Sequence, residues 1–190
     1  MFNKNNIHIV KYGNKNLYCV GNTSLLNSNC FSIAGTRQID QQSANWLKEI
    51  IGQASNLTLV SGLALGSDSV AHQTALSLNM PQIAVLPSGV NNIAPKTNKK
   101  LALNIVKSGG LLVSEYAPSA SPSKSSYVNR NKIIAQLGKF LVVPQFNTHS
   151  GTRHTVNFVS KLHKPIVVQN ANYSGNQFII NNSGFITIIK

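Results

Sequence analysis

A chain of 190 residues is long enough for one domain with a real core. Its charge is unusual: 17 Lys and Arg stand against 4 Asp and Glu, a formal net charge of +13, so polyanions and nucleic acid first among them are the expected partners. No apolar run approaches the roughly 20 residues of a membrane span, no basic amphipathic helix suggests a lipid surface, and 2 cysteines fit neither a disulfide framework nor a zinc site.

Residues 1–30 read as a small N-terminal β extension. The first six residues are polar and carry no signal-peptide pattern, which points to the cytoplasm, with Cys19 and Cys30 as buried thiols. Ile7, Ile9 with Val10, and residues 17–20 suggest short strands, with turns at Gly13-Asn14 and Gly21-Asn22. The core is expected over 31–170. Its first strand is 31–34, ending at Gly35-Thr36-Arg37. A helix follows, with Leu47, Ile50, Ile51 and Ala54 at i, i+3, i+4, i+7 spacing.

The pattern then repeats. Strand 57–60 leads through Ser61-Gly62 and Gly66 to a helix near 68–79, with Asp68 as its expected cap. A strand, glycine-rich turn and helix start together suggest a backbone site for a phosphate. Strand 82–86 leads through Ser88-Gly89 to a helix carrying Leu101, Ala102, Ile105 and Val106. Strand 111–114 leads into a Pro/Ser-rich loop, 118–126, expected to be mobile. A short helix opened by Tyr127 to Lys132 carries Ile133, Ile134 and Leu137. Strand 140–143 leads through His149-Ser150-Gly151 to a helix with Val156, Val159 and Leu162, and strand 166–169 follows. The tail, 171–190, reads as a hairpin with strands 178–180 and 185–189.

This alternation predicts an α/β fold: a Rossmann-like, doubly wound, mainly parallel sheet with helices on both faces and a small N-terminal β element. Right-handed crossovers then gather the strand-to-helix loops along one rim. That rim would hold Arg37, Ser61, Gly62, Gly66, Ser88, Gly89 and Ser114-Glu115. It would also hold His149, Ser150, Gly151, Thr152 and Arg153 at the next anion loop. Arg130, Asn131 and Lys132 open a neighbouring helix, where both cations could reach a phosphodiester backbone. Tyr116, Tyr127 and Phe146 are candidates for base stacking. Glu115 is read as a general base or, more simply, as an acceptor for loop amides. No Walker sequence and no GxGxxG fingerprint occurs, and His149 and His154 have no partner suggesting a metal. No cofactor or metal is expected.

Six segments, in order, resemble the DNA-processing protein A (DprA/Smf) family. They are LYCVGNTSLLNSNCFSIAGTR, SGLALGSDSVAH, IAVLPSGVNNIAPKTN, GGLLVSEYAP, YVNRNKIIAQL and LVVPQFNTHSGTRHT. The second resembles SGLARGIDxxAH and the fifth resembles FPxRNRIIagL. The resemblance implies a non-enzymatic protein that binds single-stranded DNA along a basic pocket. It also implies a homodimer that helps load the RecA recombinase during natural transformation. Carried over by position, Arg37, Ser61, Gly62, Arg130, Lys132, Ser150 and Gly151 would line the DNA path.

Departures are visible as well. Leu65 replaces an arginine, Lys132 replaces another, Gln145 replaces an acid, and His149 stands where a cation is usual. Val128 and Ala94 also depart from the pattern. The family's helical domain before the core and winged-helix-like domain after it have no counterpart in these residues. RNA is the alternative polymer. Two other functions are alternatives: a nucleotide phosphoribohydrolase resembling the LOG proteins, and a small-nucleotide sensor. The hydrolase signature PGGxGTxxE is poorly matched at Ser150-Gly151-Thr152, where no acid stands three residues on.

Overall fold

The structure is a computed structural model that describes residues 2–182 and 184–189. Strands β1 (His8–Tyr12) and β2 (Lys15–Gly21) form a hairpin through Gly13, where φ is +58° and glycine is the natural occupant. The core then runs β3 (Cys30–Ile33), α1 (Gln41–Gln53), β4 (Thr58–Ser61), α2 (Ser67–Ser77), β5 (Gln82–Val85), α3 (Lys99–Lys107) and β6 (Leu111–Ser114). It continues through α4 (Lys124–Leu137), β7 (Leu141–Val143), α5 (Thr152–Lys161), β8 (Ile166–Val168), α6 (Ser174–Ile180) and β9 (Thr187–Ile189).

Among the described residues, nine strands form one sheet in the order β1-β2-β6-β5-β4-β3-β7-β8-β9. All pairings from β6 to β9 are parallel, and β2 joins β6 antiparallel. The five strands β3 to β7 are buried at every residue, as parallel strands covered on both faces must be. Alternate residues feed opposite layers. Phe31, Ile33 and Leu59 meet Leu47 and Ile51 of α1 on one face. Val60, Ile83 and Val85 meet Ile133, Ile134 and Leu137 of α4 on the other. The sheet is therefore the doubly wound, mainly parallel one expected from the strand–helix alternation.

The order changes direction at β3. From there the chain winds outward to β4, β5 and β6, then returns to lay β7 on β3's other side. The loops after β3 and after β7 diverge at this point and leave a crevice beyond the strand ends, the usual ligand position in such sheets.

Three local expectations are corrected. Residues 178–180 are not a strand, because α6 spans Ser174–Ile180. Asn176 explains the helix start: its side chain accepts from Phe146 N at 3.1 Å and donates to Pro144 O and Gln169 O at 3.0 Å each. The segment is thereby docked beside β8, and β9 returns parallel to β8 rather than as a hairpin partner. Ser183, part of the expected turn, lies outside the described residues.

The serine-rich stretch before Tyr127 is the second correction. Ser123 and Ser126 form a reciprocal capping box, so α4 starts at Lys124 and has 14 residues. Third, the preceding loop is held rather than free. Ala120 O accepts from Gly89 N at 2.9 Å, and Pro118 O accepts from Asn91 N at 2.8 Å.

Candidate nucleic-acid interface

A cleft of about 700 Å³ opens at the switch between β3 and β7. Its walls are the Gly35-Thr36-Arg37 loop, Ala64-Leu65, the middle of α4, and Ser150-Gly151-Thr152 at the start of α5. The first loop is fixed from three sides. Thr36 N donates to Gln145 O at 2.7 Å, Thr152 Oγ1 donates to Gly35 O at 2.9 Å, and Ser67 N donates to Thr36 O at 3.0 Å. Gly66 lies beneath this loop with φ at +72°, where a Cβ would stand 2.4 Å from Thr36 O. Only glycine lets α2 begin so close to the loop. The result presents Arg37 outward, its guanidinium 5.7 Å from the ring centroid of Tyr127.

The glycine turn after β4 behaves differently from the expected phosphate site. Its amides are already occupied. Asp68 Oδ2 accepts from Gly62 N and from Ala64 N, at 3.1 Å each. Asp68 lies inside the first turn of α2 rather than before it, so it ties the turn to the helix instead of capping the helix. Its carboxylate fills the role sequence reasoning gave to a phosphate. The signal was present but easily overlooked: one of only four acids sits six residues after a rim glycine. Ser61 is also committed, fully buried with Oγ donating to Ile33 O at 3.0 Å.

Arg130 forms the cleft floor. It is 6% exposed, and Nη1 donates to Val85 O at 3.1 Å and lies 3.9 Å from Asp68 Oδ2. The guanidinium fills the space over Gly62, where a Cβ would fall 1.2 Å from Nη1. Burial lowers the Arg130 pKa, and the Asp68 carboxylate opposes that shift. Arg130 Nε is buried without a hydrogen-bond partner. Behind this pair sits His72, fully buried, with Nδ1 2.8 Å from Gln82 Oε1. Burial pushes the His72 pKa down. A connected set of charged and polar groups therefore supports the cleft from below.

The start of α5 supplies the available anion site. Gly151 stands at the N-cap position without a side-chain cap, and the space around its Cα is open. Ser150 Oγ is buried without a hydrogen-bond partner in the same wall. A ten-residue helix directs the positive end of its dipole to this point. Asn131 flanks it, with Nδ2 3.5 Å from Gly151 O. Arg37, Tyr127, Arg130, Asn131, Ser150, Gly151 and Thr152 are thus brought together in one cleft.

Other expected site residues are not. Ser88 is fully buried, and a Cβ on Gly89 would stand 2.1 Å from Ala117 O. The loop carrying Ala117 and Pro118 covers both. Lys132 and Arg130 lie in mid-helix rather than at its start, and Lys132 turns away to stack on Phe158, 5.7 Å from the ring centroid. Arg153 stacks on Phe178 at 4.6 Å. His149 is exposed in the loop before Ser150 but does not line the cleft. Phe146 is fully buried and Glu115 pairs with Lys15, so neither a stacking nor a basic role is open to them. Gln145 holds α1, its Oε1 accepting from Asp40 N at 2.9 Å. Among the described residues, no three His, Cys, Asp or Glu side chains converge to hold a metal, and no helix is long and apolar enough to cross a membrane.

A doubly wound sheet with an uncapped helix start and an outward arginine at its switch point defines a Rossmann-like domain suited to an anionic ligand. Comparison with known proteins makes this more specific. Residues 5–188 match the DNA recombination-mediator protein A family, and the chain belongs to that family. It is 35% identical over 137 residues to the DNA processing protein DprA of Streptococcus pneumoniae, covering 72% of this chain and 48% of that one. Against the protein Smf of Escherichia coli the identity is 33% over 138 residues, covering 72% of this chain and 37% of that one. The chain therefore spans half or less of these curated relatives.

Solved structures agree. The crystal structure of S. pneumoniae DprA superposes with a TM-score of 0.83 at 30% identity, covering 90% of this chain and 62% of that one. Helicobacter pylori DNA processing protein A, described for its mode of single-stranded DNA binding, gives 0.84 at 28% identity. That match covers 94% of this chain and 84% of that one. A molybdenum cofactor binding protein from Rippkaea orientalis, at 18% identity and a TM-score of 0.59, shares the fold alone.

Proposed function

We propose that this chain binds single-stranded DNA in its cleft and serves DNA processing and recombination. The observation that carries the reading is the uncapped α5 start, with its unpartnered Ser150 Oγ, in one cleft with exposed Arg37. A phosphate placed there would accept from the Gly151 and Thr152 amides and from Ser150 Oγ. Arg37 supplies the opposite charge from across the cleft. Tyr127 offers a ring for a base, and stacking tolerates any base, so sequence preference should be weak. Arg130 acts from the floor, holding Asp68 and the glycine turn in place. The relatives' names and the H. pylori protein's described binding mode support the choice of polymer. RNA is the alternative the same contacts would accept.

The wider role follows the family resemblance: a cytoplasmic homodimer that delivers a strand to RecA. The two buried thiols suit a reducing compartment. A binding role is favoured over nucleotide hydrolysis by two positions. Thr155 lines the cleft where the hydrolase signature would place its glutamate, and Asp68 is committed to two amides.

The test is fluorescence anisotropy with oligothymidylate and with a duplex of matched length. Single strands should bind in clear preference to duplex. Arg37→Ala should weaken every sequence alike, by about tenfold for one lost charge-assisted contact. A preference for duplex, or release of free base from nucleoside monophosphates, would overturn the reading.

A further inference from the structure

The sheet has an open edge at β1, far from the cleft. Four strands separate β1 from β3, a distance of about 24 Å at the usual strand spacing. β1 pairs with β2 residue for residue over five positions, with no bulge and no proline, and among the described residues no strand pairs with its other side. The two-residue turn Gly13-Asn14 makes Tyr12 and Lys15 a hydrogen-bonded pair, so His8, Val10 and Tyr12 direct their amides and carbonyls to β2. Those of Ile9 and Lys11 point outward, and among the described residues no other element bonds to them. The segment before β1 does not fold back over the edge. Phe2 is tied to the loop after β5 instead, its N donating to Asn91 Oδ1 at 2.8 Å and its O accepting from Asn91 Nδ2 at 3.1 Å.

Natural sheets blunt such an edge with bulges, prolines, charged side chains or a covering segment. Here Lys11 is the only such device on the strand. Ile9 is 63% exposed, more than any other large apolar side chain among the described residues. Its cross-strand neighbour, Tyr18, is half-buried beside it. A regular row of unpaired backbone groups next to an exposed isoleucine is a template for strand addition.

Charge decides which strand fits. Residues 1–39 hold no carboxylate, the first being Asp40. Lys4 and Lys11 are exposed, just before β1 and on it. Glu115, which reaches the end of the hairpin, is already paired with Lys15. A second copy of β1 would bring like charges together, and two chains of +13 repel each other, whereas an acidic segment meets complementary charge.

We propose that β1 is the docking edge for an extended acidic segment of a partner protein, which adds a further strand to the sheet. The backbone of that segment pairs with Ile9 and Lys11. One of its apolar side chains lies beside Ile9, and its carboxylates lie beside Lys11 and Lys4. The cleft stays free, so single-stranded DNA and the acidic segment bind together.

The test titrates the intact chain into a fluorescent peptide of about 12 residues that alternates Glu with Val and Thr. A control peptide of the same charge carries proline at alternate positions and cannot form a ladder. The alternating peptide should bind about tenfold more tightly than the control, and saturating oligothymidylate should leave it bound. Ile9→Pro removes one outward N–H and no bond to β2. It should weaken the peptide about tenfold and leave oligothymidylate affinity unchanged. Lys11→Glu leaves every backbone group in place and should weaken the peptide about fivefold. On peptide binding, hydrogen exchange should slow at the amides of Ile9 and Lys11 and stay as it was at Gly62 and Gly151.

No binding of the alternating peptide, or equal binding of both peptides, would overturn the assignment, since charge alone would then account for any contact. Displacement by oligothymidylate would overturn it too, by placing the peptide in the cleft. So would self-association of the chain that Ile9→Pro abolishes, because the edge then joins two copies.

Discussion

Arg37 and Arg130 both border the cleft, yet Arg37 is exposed beside Tyr127 while Arg130 is nearly buried against Asp68 and Val85 O. This difference decides which substitution tests binding. Arg130→Ala would leave Asp68 without its cation and Val85 O without its donor, at a cost of about 3 kcal/mol in stability. Denaturant unfolding should register that loss, and an unchanged midpoint would contradict the structural role. Arg37→Ala should leave the same midpoint unmoved. Sequence reasoning found both arginines by their place near the rim. It could not rank them, because burial depends on which helix turn faces the sheet. The same limit hid the role of Asp68. A lone carboxylate beside glycines reads as a helix cap until the amides of Gly62 and Ala64 are seen to point at it.

His72 adds a pH dependence. Burial holds its pKa below the ordinary value of 6.5, with Asp68 raising it and Arg130 lowering it by smaller amounts. In acid the unfolded chain takes up a proton that the folded chain resists. Stability is therefore fully present above about 6.5 and falls as pH drops toward the folded value. The melting temperature should decrease between about pH 7.5 and about pH 5.5, and His72→Gln should flatten that decrease. A melting temperature that rises on acidification would contradict it. Burial also pushes the Cys19 thiol up to about 11, so alkylating reagents should spare it in the folded protein.

Among the elements, two carry the cleft. The first is α2, whose start passes under the Arg37 loop. Gly66→Ala would set a Cβ against Thr36 O and Arg37 C at 2.4 and 2.5 Å, both backbone atoms, and at a positive φ. It should lower stability by about 2 kcal/mol and displace Arg37, weakening single-strand binding together with folding. The second is α5, where Thr152→Val removes only the bond to Gly35 O and should cost about 1 kcal/mol. Long periodic helices and wholly apolar strands were legible because pattern and length agree. The tail was not. Phe178, Ile179 and Ile180 form a short apolar run that fits strand or helix equally, and Asn176, bonded to three distant backbone groups, decides for helix. The start of α4 was misplaced for a related reason: Ser123 to Ser126 reads as loop by composition and as a capping box by geometry.

At the scale of the molecule, the doubly wound architecture was legible from the alternation of strands and helices, while the order of strands in the sheet was not. Six strand–helix alternations and right-handed crossovers leave few topologies, and the observed sheet turns at β3 as such folds do. Which rim loops remain open did not follow, since the loop over Gly89 is set by long-range packing. The net charge of +13 is the property that joins fold to function. With only four acids, at Asp40, Glu49, Asp68 and Glu115, the attraction for a polyphosphate is opposed by little. Leu65, 46% exposed at the cleft mouth, adds apolar surface where the family pattern carries an arginine. Leu65→Arg should therefore tighten single-strand binding and steepen its salt dependence by about 0.7 in slope.

The salt dependence of single-strand affinity tests the central claim most directly. For oligothymidylate, the logarithm of the binding constant should fall linearly with the logarithm of salt, by about 0.7 per phosphate neutralised, from roughly 50 to 200 mM. Arg37→Ala should lower that slope by about 0.7. Affinity that ignores salt, or a slope that Arg37→Ala leaves unchanged, would contradict a phosphate site at the switch between β3 and β7.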